Sequence, residues 1–232
     1  MKGPLDGKMA LVTGAAGGIG LKVARALAQT GCGLYLVGQK FMPLEQAASD
    51  IRSDYGVKAE AHTGNPAIAV DAEAVSMGCA DAEIFINCTG NLPPGQLEDI
   101  EDARWRKSWE AAVFAPLNMV REMIGHMTDE GRGLIVLIID APLETNSLDI
   151  CASAAGAVLK TLIAGVEQDL AQGVRIFGLC TERNVEPVSL SEAVIRLALE
   201  PERFATGSIL TAQDILQDEA NDTPDTAAEN PA

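Results

Sequence analysis

A short apolar run, Met9 to Val12, leads into the turn Thr13-Gly14-Ala15-Ala16-Gly17-Gly18-Ile19-Gly20. The turn leads into a stretch with apolar residues four apart at Ile19, Val23 and Leu27. The run reads as a β-strand and the spacing as one face of an α-helix. Each glycine between them has a job. Gly14 permits a tight turn, Gly18 lets the backbone approach a pyrophosphate, and Gly20 lets the helix pack close to the sheet. The helix N-terminus then offers free N–H groups and a positive dipole end to an anion. Glycine spacing alone is weak; a place between strand and helix at the start of an α/β chain gives it weight.

The rest of the chain keeps alternating. Strands are predicted at 34–37, 57–61, 83–86, 134–139, 175–179 and 208–210, with helices at 43–52, 105–127, 151–171 and 191–199. The unbroken apolar run Leu134 to Ile139 suits a strand buried on both faces. Strand–helix alternation with buried strands predicts an α/β fold, a Rossmann-type doubly wound parallel sheet in a single domain over residues 1–213. Residues 214–232 hold Asp214, Asp218, Glu219, Asp222, Asp225 and Glu229 with no Lys or Arg. They are expected to form an acidic, disordered tail.

A formal net charge of -16 argues against nucleic acid and against an anionic membrane surface as partners. No apolar stretch is read as reaching the roughly 20 residues of a membrane helix. The five cysteines, Cys32, Cys79, Cys88, Cys151 and Cys180, are scattered and lack CxxC spacing. They suit core packing in a reducing cytoplasm, which is the expected location. His62 and His126 have no metal or triad spacing, and no metal site is predicted.

The segment "DGKMALVTGAAGGIG" resembles the opening of the short-chain dehydrogenase/reductase family, with its TGxxxGIG loop. "IFINCTG" at 84–90 resembles the strand ending in NNAG, with Asn87 and Gly90 retained. "WRKSWEAAVFAPLNMVREMIGHM" at 105–127 resembles the long interface helix. "GLIVLII" at 133–139 resembles the strand before the catalytic Ser, "ICASAAGAVLKTL" at 150–162 the helix carrying YxASKxA, and "ATGSIL" at 205–210 the closing strand. The likeness spans residues 4 to 214. It implies hydride transfer between a nicotinamide and a carbonyl or alcohol, using Tyr, Lys, Ser and Asn. Tyr and Lys at i and i+4 share a helix face, where the ammonium lowers the phenol pKa.

At those positions this sequence differs. Ile150 stands for Tyr, Ala154 for Lys, Ala112 for Asn, and Ile139 or Asp140 for Ser. The remaining tyrosines, Tyr35 and Tyr55, have no Lys four residues on. The strand ending in Thr181-Glu182 reaches the helix near Ser191 without the long substrate lid the resemblance implies. Asp140, Ser147, Asp149, Cys151, Ser153 and Glu182 fall near the same place as substitutes, without an evident paired partner. No catalytic residue is therefore assigned.

For a cofactor, the resemblance implies NADP or NAD against Gly14, Gly18, Ile19, Gly20, Gln39, Lys40, Asn87 and Gly90. The second strand ends in Gly38-Gln39-Lys40 with no ribose-binding acid, and Lys40 leans the preference to NADP. The adenine-side Asp is replaced around Thr63-Gly64-Asn65. Two readings stay open: the loop binds a dinucleotide, or its glycines persist for packing alone. The resemblance also implies oligomers through helices 105–127 and 150–171. The second carries Ala152, Ser153, Ala154, Ala155, Gly156, Ala157, Ala164 and Gly165, small residues that allow close approach. The favoured reading is a non-catalytic subunit associating with itself or with an active relative. The rivals are an oxidoreductase with atypical catalytic residues and a nucleotide-sensing regulator.

Overall fold

The computed structural model describes residues 3–90, 92–141, 149–181 and 187–217. Seven parallel strands form one sheet: β1 Met9–Thr13, β2 Gly33–Gly38, β3 Ala59–Thr63, β4 Ile84–Asn87, β5 Gly133–Ile139, β6 Val174–Cys180 and β7 Ile209–Thr211. Their spatial order is β3-β2-β1-β4-β5-β6-β7. The order reverses between β1 and β4, so a crevice opens there beyond the strands' carboxyl ends. Register brings Thr13 beside Val37 and Asn87, and Asn87 beside Leu137.

Alternating side chains feed two core layers. Ala10, Val12, Leu134, Val136 and Ile138 point to one layer. Helices α1 (Gly18–Gln29), α2 (Phe41–Tyr55), α7 (Pro187–Leu199) and α8 (Ala212–Gln217) supply the rest of it. Leu11, Ile135, Leu137 and Ile139 point to the other, against α3 (Ala69–Gly78), α5 (Ala115–Asp129) and α6 (Ile150–Glu167). The period of two along a strand buried on both faces makes this division. Residues Ala69–Gly78 show no clear periodicity in sequence, and only Ala72, Val75 and Ser76 of α3 are buried.

The helix expected to run unbroken from Trp105 to Met127 has three parts. Helix α4 (Asp102–Trp109) passes through a π turn at Glu110–Phe114 into α5. At the turn, the Ala115 N–H donates to the Glu110 carbonyl five residues back. Pro116, in the first turn of α5, has no N–H for the carbonyl of Ala112. A wider turn is one way a helix accommodates that loss. The helix predicted at 150–171 ends at Glu167, four residues early. At 18 residues and a mean hydropathy of 1.5, α6 is also apolar and long enough to cross a membrane by composition alone, contrary to the sequence reading. In the fold, Leu159 and Ile163 of α6 pack into the core beside the sheet.

The predicted boundary at residue 213 also shifts. Asp214 belongs to α8, and Ile215 is fully buried in the first core layer. Thr211 and Asp214 cap the helix reciprocally. The Thr211 N–H and Oγ1 donate to Asp214 Oδ2 at 2.7 and 2.8 Å, and the Asp214 N–H donates to Thr211 Oγ1 at 3.1 Å. That Thr-x-x-Asp arrangement is a capping box with Asp in the Glu position. Residues 218–232 of the expected tail lie outside the described residues. Ile215→Ala should lower stability by about 2–5 kcal/mol, the usual cost of a buried Ile→Ala change. Urea unfolding followed by circular dichroism measures it, and a loss under about 0.5 kcal/mol would mean that α8 is not part of the core.

Candidate nucleotide cleft and the adjoining corner

The glycine turn is shaped by contact with the end of β4. Gly14 has a φ of 68°, and a Cβ there would meet the Cys88 carbonyl oxygen at 2.6 Å. A Cβ on Gly20 would meet the Gly14 carbonyl oxygen at 2.4 Å, so α1 presses directly on the turn. Gly17 and Gly18 differ: nothing lies within 4 Å of where their Cβ atoms would stand. They face open space at the start of α1, whose first turn carries no acid and whose N-cap, Gly17, makes no side-chain bond. Two predicted glycines are thus needed for packing, and Gly18 marks the approach to the helix N-terminus.

Asn87, fully buried, ties the strand ends together. Its Oδ1 accepts from Thr13 Oγ1 at 2.9 Å and from Thr89 Oγ1 at 2.8 Å. Thr13 Oγ1 accepts in turn from the Cys88 N–H at 3.3 Å. The Asn87 Nδ2 group is buried without a hydrogen-bond partner among the described residues. Leaving such a donor unmet costs about 1–3 kcal/mol.

Above these residues lies a cleft of about 370 Å³. Its walls are Thr13, Gly14 and Ala16 of the turn, Gly38, Gln39, Lys40 and Pro43 after β2, Asn65 and Pro66 after β3, Cys88, Thr89 and Gly90 after β4, and Ala111 and Ala115. Of the predicted cofactor residues, Gly14, Gln39, Lys40 and Gly90 line it. Gly18, Ile19 and Gly20 open α1, and Asn87 is buried beside its lining. Across the cleft, Gln39 Nε2 donates to Asn65 Oδ1 at 3.3 Å. Asn65 is itself held: its N–H donates to Asp71 Oδ2 at 2.9 Å, and its Oδ1 also accepts from the Ala67 N–H at 3.3 Å. From below, Asn118 Nδ2 donates to the Pro66 carbonyl at 2.9 Å. The sequence pointed to Asn65 only as a replaced position; the bridge to Gln39 depends on register between β2 and β3. Lys40 is exposed, at the N-cap of α2. Desolvation at the cleft wall pushes the Cys88 thiol up to about 12.

The described residues of the neighbouring corner pack tightly. Thr89, Gly90, Leu92, Ala112, Ile138, Ile139, Asp140, Ala155, Gly156 and Leu159 surround a void of only about 10 Å³. That is at most the space of one water molecule. Ala112 and Ala155 are buried there in a small apolar cluster with Val113, joined by Leu92, Trp109 and Val158. A Cβ on Gly156 would meet Ala141 Cβ at 2.7 Å, so α6 lies hard against the end of β5. Ile150 opens α6 and is half-buried, as is Ala154. Asp140 is exposed, and its Oδ1 accepts from Thr181 Oγ1 at 3.0 Å. Asp149 is buried at the start of α6, where its carbonyl accepts from the Ser153 N–H at 2.9 Å. Burial raises the Cys151 thiol above its ordinary value. Ser147 and Glu182 lie outside the described residues.

One phenol–ammonium pair does exist, assembled across strands. Lys58 Nζ donates to Tyr35 Oη at 3.0 Å, and Tyr35 donates to Asp81 Oδ1 at 2.8 Å. Burial raises the Tyr35 phenol rather than lowering it, and Asp81 holds its proton. That is the opposite of the lowered phenol that acid–base work near neutral pH calls for. Spacing along the chain does not disclose it, because Lys58 comes from the segment before β3 rather than from the helix turn after a Tyr.

Two further surfaces stand outside the cleft. Between α5 and α6 runs an open groove of about 610 Å³, lined by Leu117, Ala157, Val158, Thr161, Leu162, Gly165, Val166 and Asp169. Gly165 is exposed, and nothing lies within 4 Å of where a Cβ on it would stand. On the opposite face, a groove of about 730 Å³ between α1 and α7 mixes Lys22, Arg25 and Arg196 with Glu192 and Glu200. Its mixed charges do not converge on one ligand chemistry.

A family model described as short chain dehydrogenase matches residues 8–183. The chain is 31% identical over 174 residues to 2,3-dihydro-2,3-dihydroxybenzoate dehydrogenase of Bacillus subtilis (strain 168), a match covering 70% of this chain but 65% of that protein, just under two thirds of its length. It is 31% identical over 185 residues to gluconate 5-dehydrogenase of Gluconobacter oxydans (strain 621H), covering 75% and 70% of the two chains. A solved short chain dehydrogenase/reductase family protein superimposes with a TM-score of 0.80 at 25% identity, covering 91% of this chain and 97% of that one. L-sorbose reductase from Gluconobacter frateurii, complexed with NADPH and L-sorbose, shares the fold with a TM-score of 0.81 at 19% identity, covering 91% and 97%.

The two kinds of glycine should separate on substitution. Gly14→Ala adds a backbone clash to the cost of a left-handed conformation, itself about 1–2 kcal/mol, whereas Gly18→Ala carries the second cost alone. Thermal unfolding should place Gly14→Ala clearly below Gly18→Ala. Equal melting temperatures would count against the packing role of Gly14.

Proposed function

This chain belongs to the short-chain dehydrogenase family, and we propose that within it the protein transfers no hydride and serves as a non-catalytic subunit, associating with itself or with an active relative. One observation carries the reading. The positions on α6 where the family resemblance requires Tyr and Lys hold Ile150 and Ala154. An aliphatic side chain neither gives nor takes a proton, and general acid–base help is worth about 100- to 10,000-fold in rate. Ala112 stands at the Asn position within the π turn, and Asp140 at or next to the Ser position.

The groove between α5 and α6 supports association. Leu117, Val158, Leu162 and Val166 give it an apolar lining, while Ala157 and Gly165 permit close approach of a partner helix. Stable interfaces of this kind bury at least about 1,200 Å² in total. The five free thiols fit a reducing compartment such as the cytoplasm.

Light scattering of the purified chain, alone and mixed with an active short-chain dehydrogenase from the same source, tests the proposal. An assembly is expected, and Gly165→Glu should weaken it at least about tenfold by placing a charge in a packed interface. A strict monomer in both samples would overturn the subunit reading. The isolated chain should oxidise no alcohol and reduce no ketone with NAD or NADP. Turnover that disappears in Asp140→Ala would favour an oxidoreductase with atypical residues instead, the activity class named for the relatives above.

Any dinucleotide should bind weakly and with NADP favoured, because Lys40 offers an exposed cation beside the cleft where no ribose-binding acid stands. A charge-assisted contact to a phosphate is worth about 1.5–3 kcal/mol. Calorimetry on the wild type and on Lys40→Ala measures this, and NADP and NAD affinities that are equal and unchanged in the variant would remove the role of Lys40.

A further inference from the structure

A nicotinamide dinucleotide has two halves, and the residues present fit only one. The adenosine diphosphate half has a place. The glycine turn leaves the N-terminus of α1 open at Gly17 and Gly18, where backbone N–H groups and the helix dipole favour phosphate. The cleft of about 370 Å³ runs from that turn to the amide pair Gln39 and Asn65. Side-chain amides of this kind pair with the N6 and N7 edge of adenine. Thr13 and Thr89 of the cleft wall are held in place by their bonds to the buried Oδ1 of Asn87.

For the second half, α6 supplies no polar partner at the two positions where the resemblance implies Tyr and Lys. Beyond Thr89 and Gly90 the space falls to about 10 Å³ between Ala112, Ile139 and Gly156. Ile150 and Ala154 provide no hydrogen bond to a ribose hydroxyl from α6.

We infer that this cleft is a site for an adenine nucleotide as such, an ADP-type ligand held by the glycine turn and the Gln39–Asn65 pair, to which a nicotinamide half adds no affinity. The cleft then acts as a nucleotide-reading site, with occupancy set by the adenosine diphosphate moiety wherever it comes from. This inference rests on the proposal that no hydride is transferred, yet it can fail separately.

The experiment is calorimetric titration of the full-length protein with ADP, NAD and GDP, repeated on three variants. ADP and NAD are expected to bind within about threefold of each other, because a half that makes no contacts supplies no binding energy. GDP should bind at least about tenfold more weakly, as its purine edge mismatches the amide pair. Gly17 has an extended backbone and open surroundings, so Gly17→Asp is compatible with the fold and is a favoured N-cap. Its carboxylate would occupy the helix N-terminus and should reduce ADP binding at least about tenfold, while Gly17→Ser should cost less. Gln39→Ala should narrow the difference between ADP and GDP. Unchanged melting temperatures without ligand keep these losses attributable to binding. NAD binding more than about tenfold tighter than ADP would overturn the inference and leave the non-catalytic reading standing. Failure of all three nucleotides to bind, or equal binding of ADP and GDP, would also overturn it. Turnover with NAD would overturn the proposed function itself.

Discussion

The end of β1 lies against the end of β4 with no atom to spare, and the crevice of this molecule depends on that contact. A Cβ on Gly14 would sit 2.6 Å from the Cys88 carbonyl oxygen. Beside it, Thr13 and Thr89 both donate to the same buried oxygen of Asn87. The Thr13–Asn87 bond ties the two strands together at the point where the strand order reverses. The turn toward α1 and the segment toward Gly90 then leave the sheet side by side. The strand-end residues of the cleft wall are positioned from that junction or from β2 and β3, which are registered to it through Thr13 and Val37. The junction has a cost, the unmet Nδ2 donor of Asn87, which the two core layers must offset.

Most of the architecture was readable because it rests on period and punctuation. Strands buried on both faces appear as apolar runs, and Leu134 to Ile139 is the clearest of them. The helices on the sheet declare themselves by spacing, as at Ile19, Val23 and Leu27. What was missed follows the same logic. Helix α3 buries only a narrow strip, so its spacing is faint. Helix α8 follows a three-residue strand, and its start is encoded in the pair Thr211 and Asp214 rather than in hydrophobicity. The π turn was encoded by a single proline four residues beyond Ala112.

The site was legible to a lesser degree. Glycine positions, Gln39, Lys40 and Gly90 could be placed because they are local to one turn or one strand end. The bridge from Gln39 to Asn65, the support of Pro66 by Asn118, and the Tyr35–Lys58–Asp81 chain could not, since each joins residues 23 or more positions apart. The packing beside Ala112 is likewise a long-range matter: Ile150 and Ala154 can be read off the sequence, but the approach of Gly156 to Ala141 cannot.

The π turn at Glu110–Phe114 has a geometric effect beyond its own five residues. A turn closed five residues back holds one residue more than an α-turn, and each residue advances a helix by about 100°. Helix α4 is therefore rotated out of phase with α5, although the two share one continuous run of backbone. The stripe of side chains along α5 therefore breaks off at Phe114, set by a change of phase and not by the end of the backbone run.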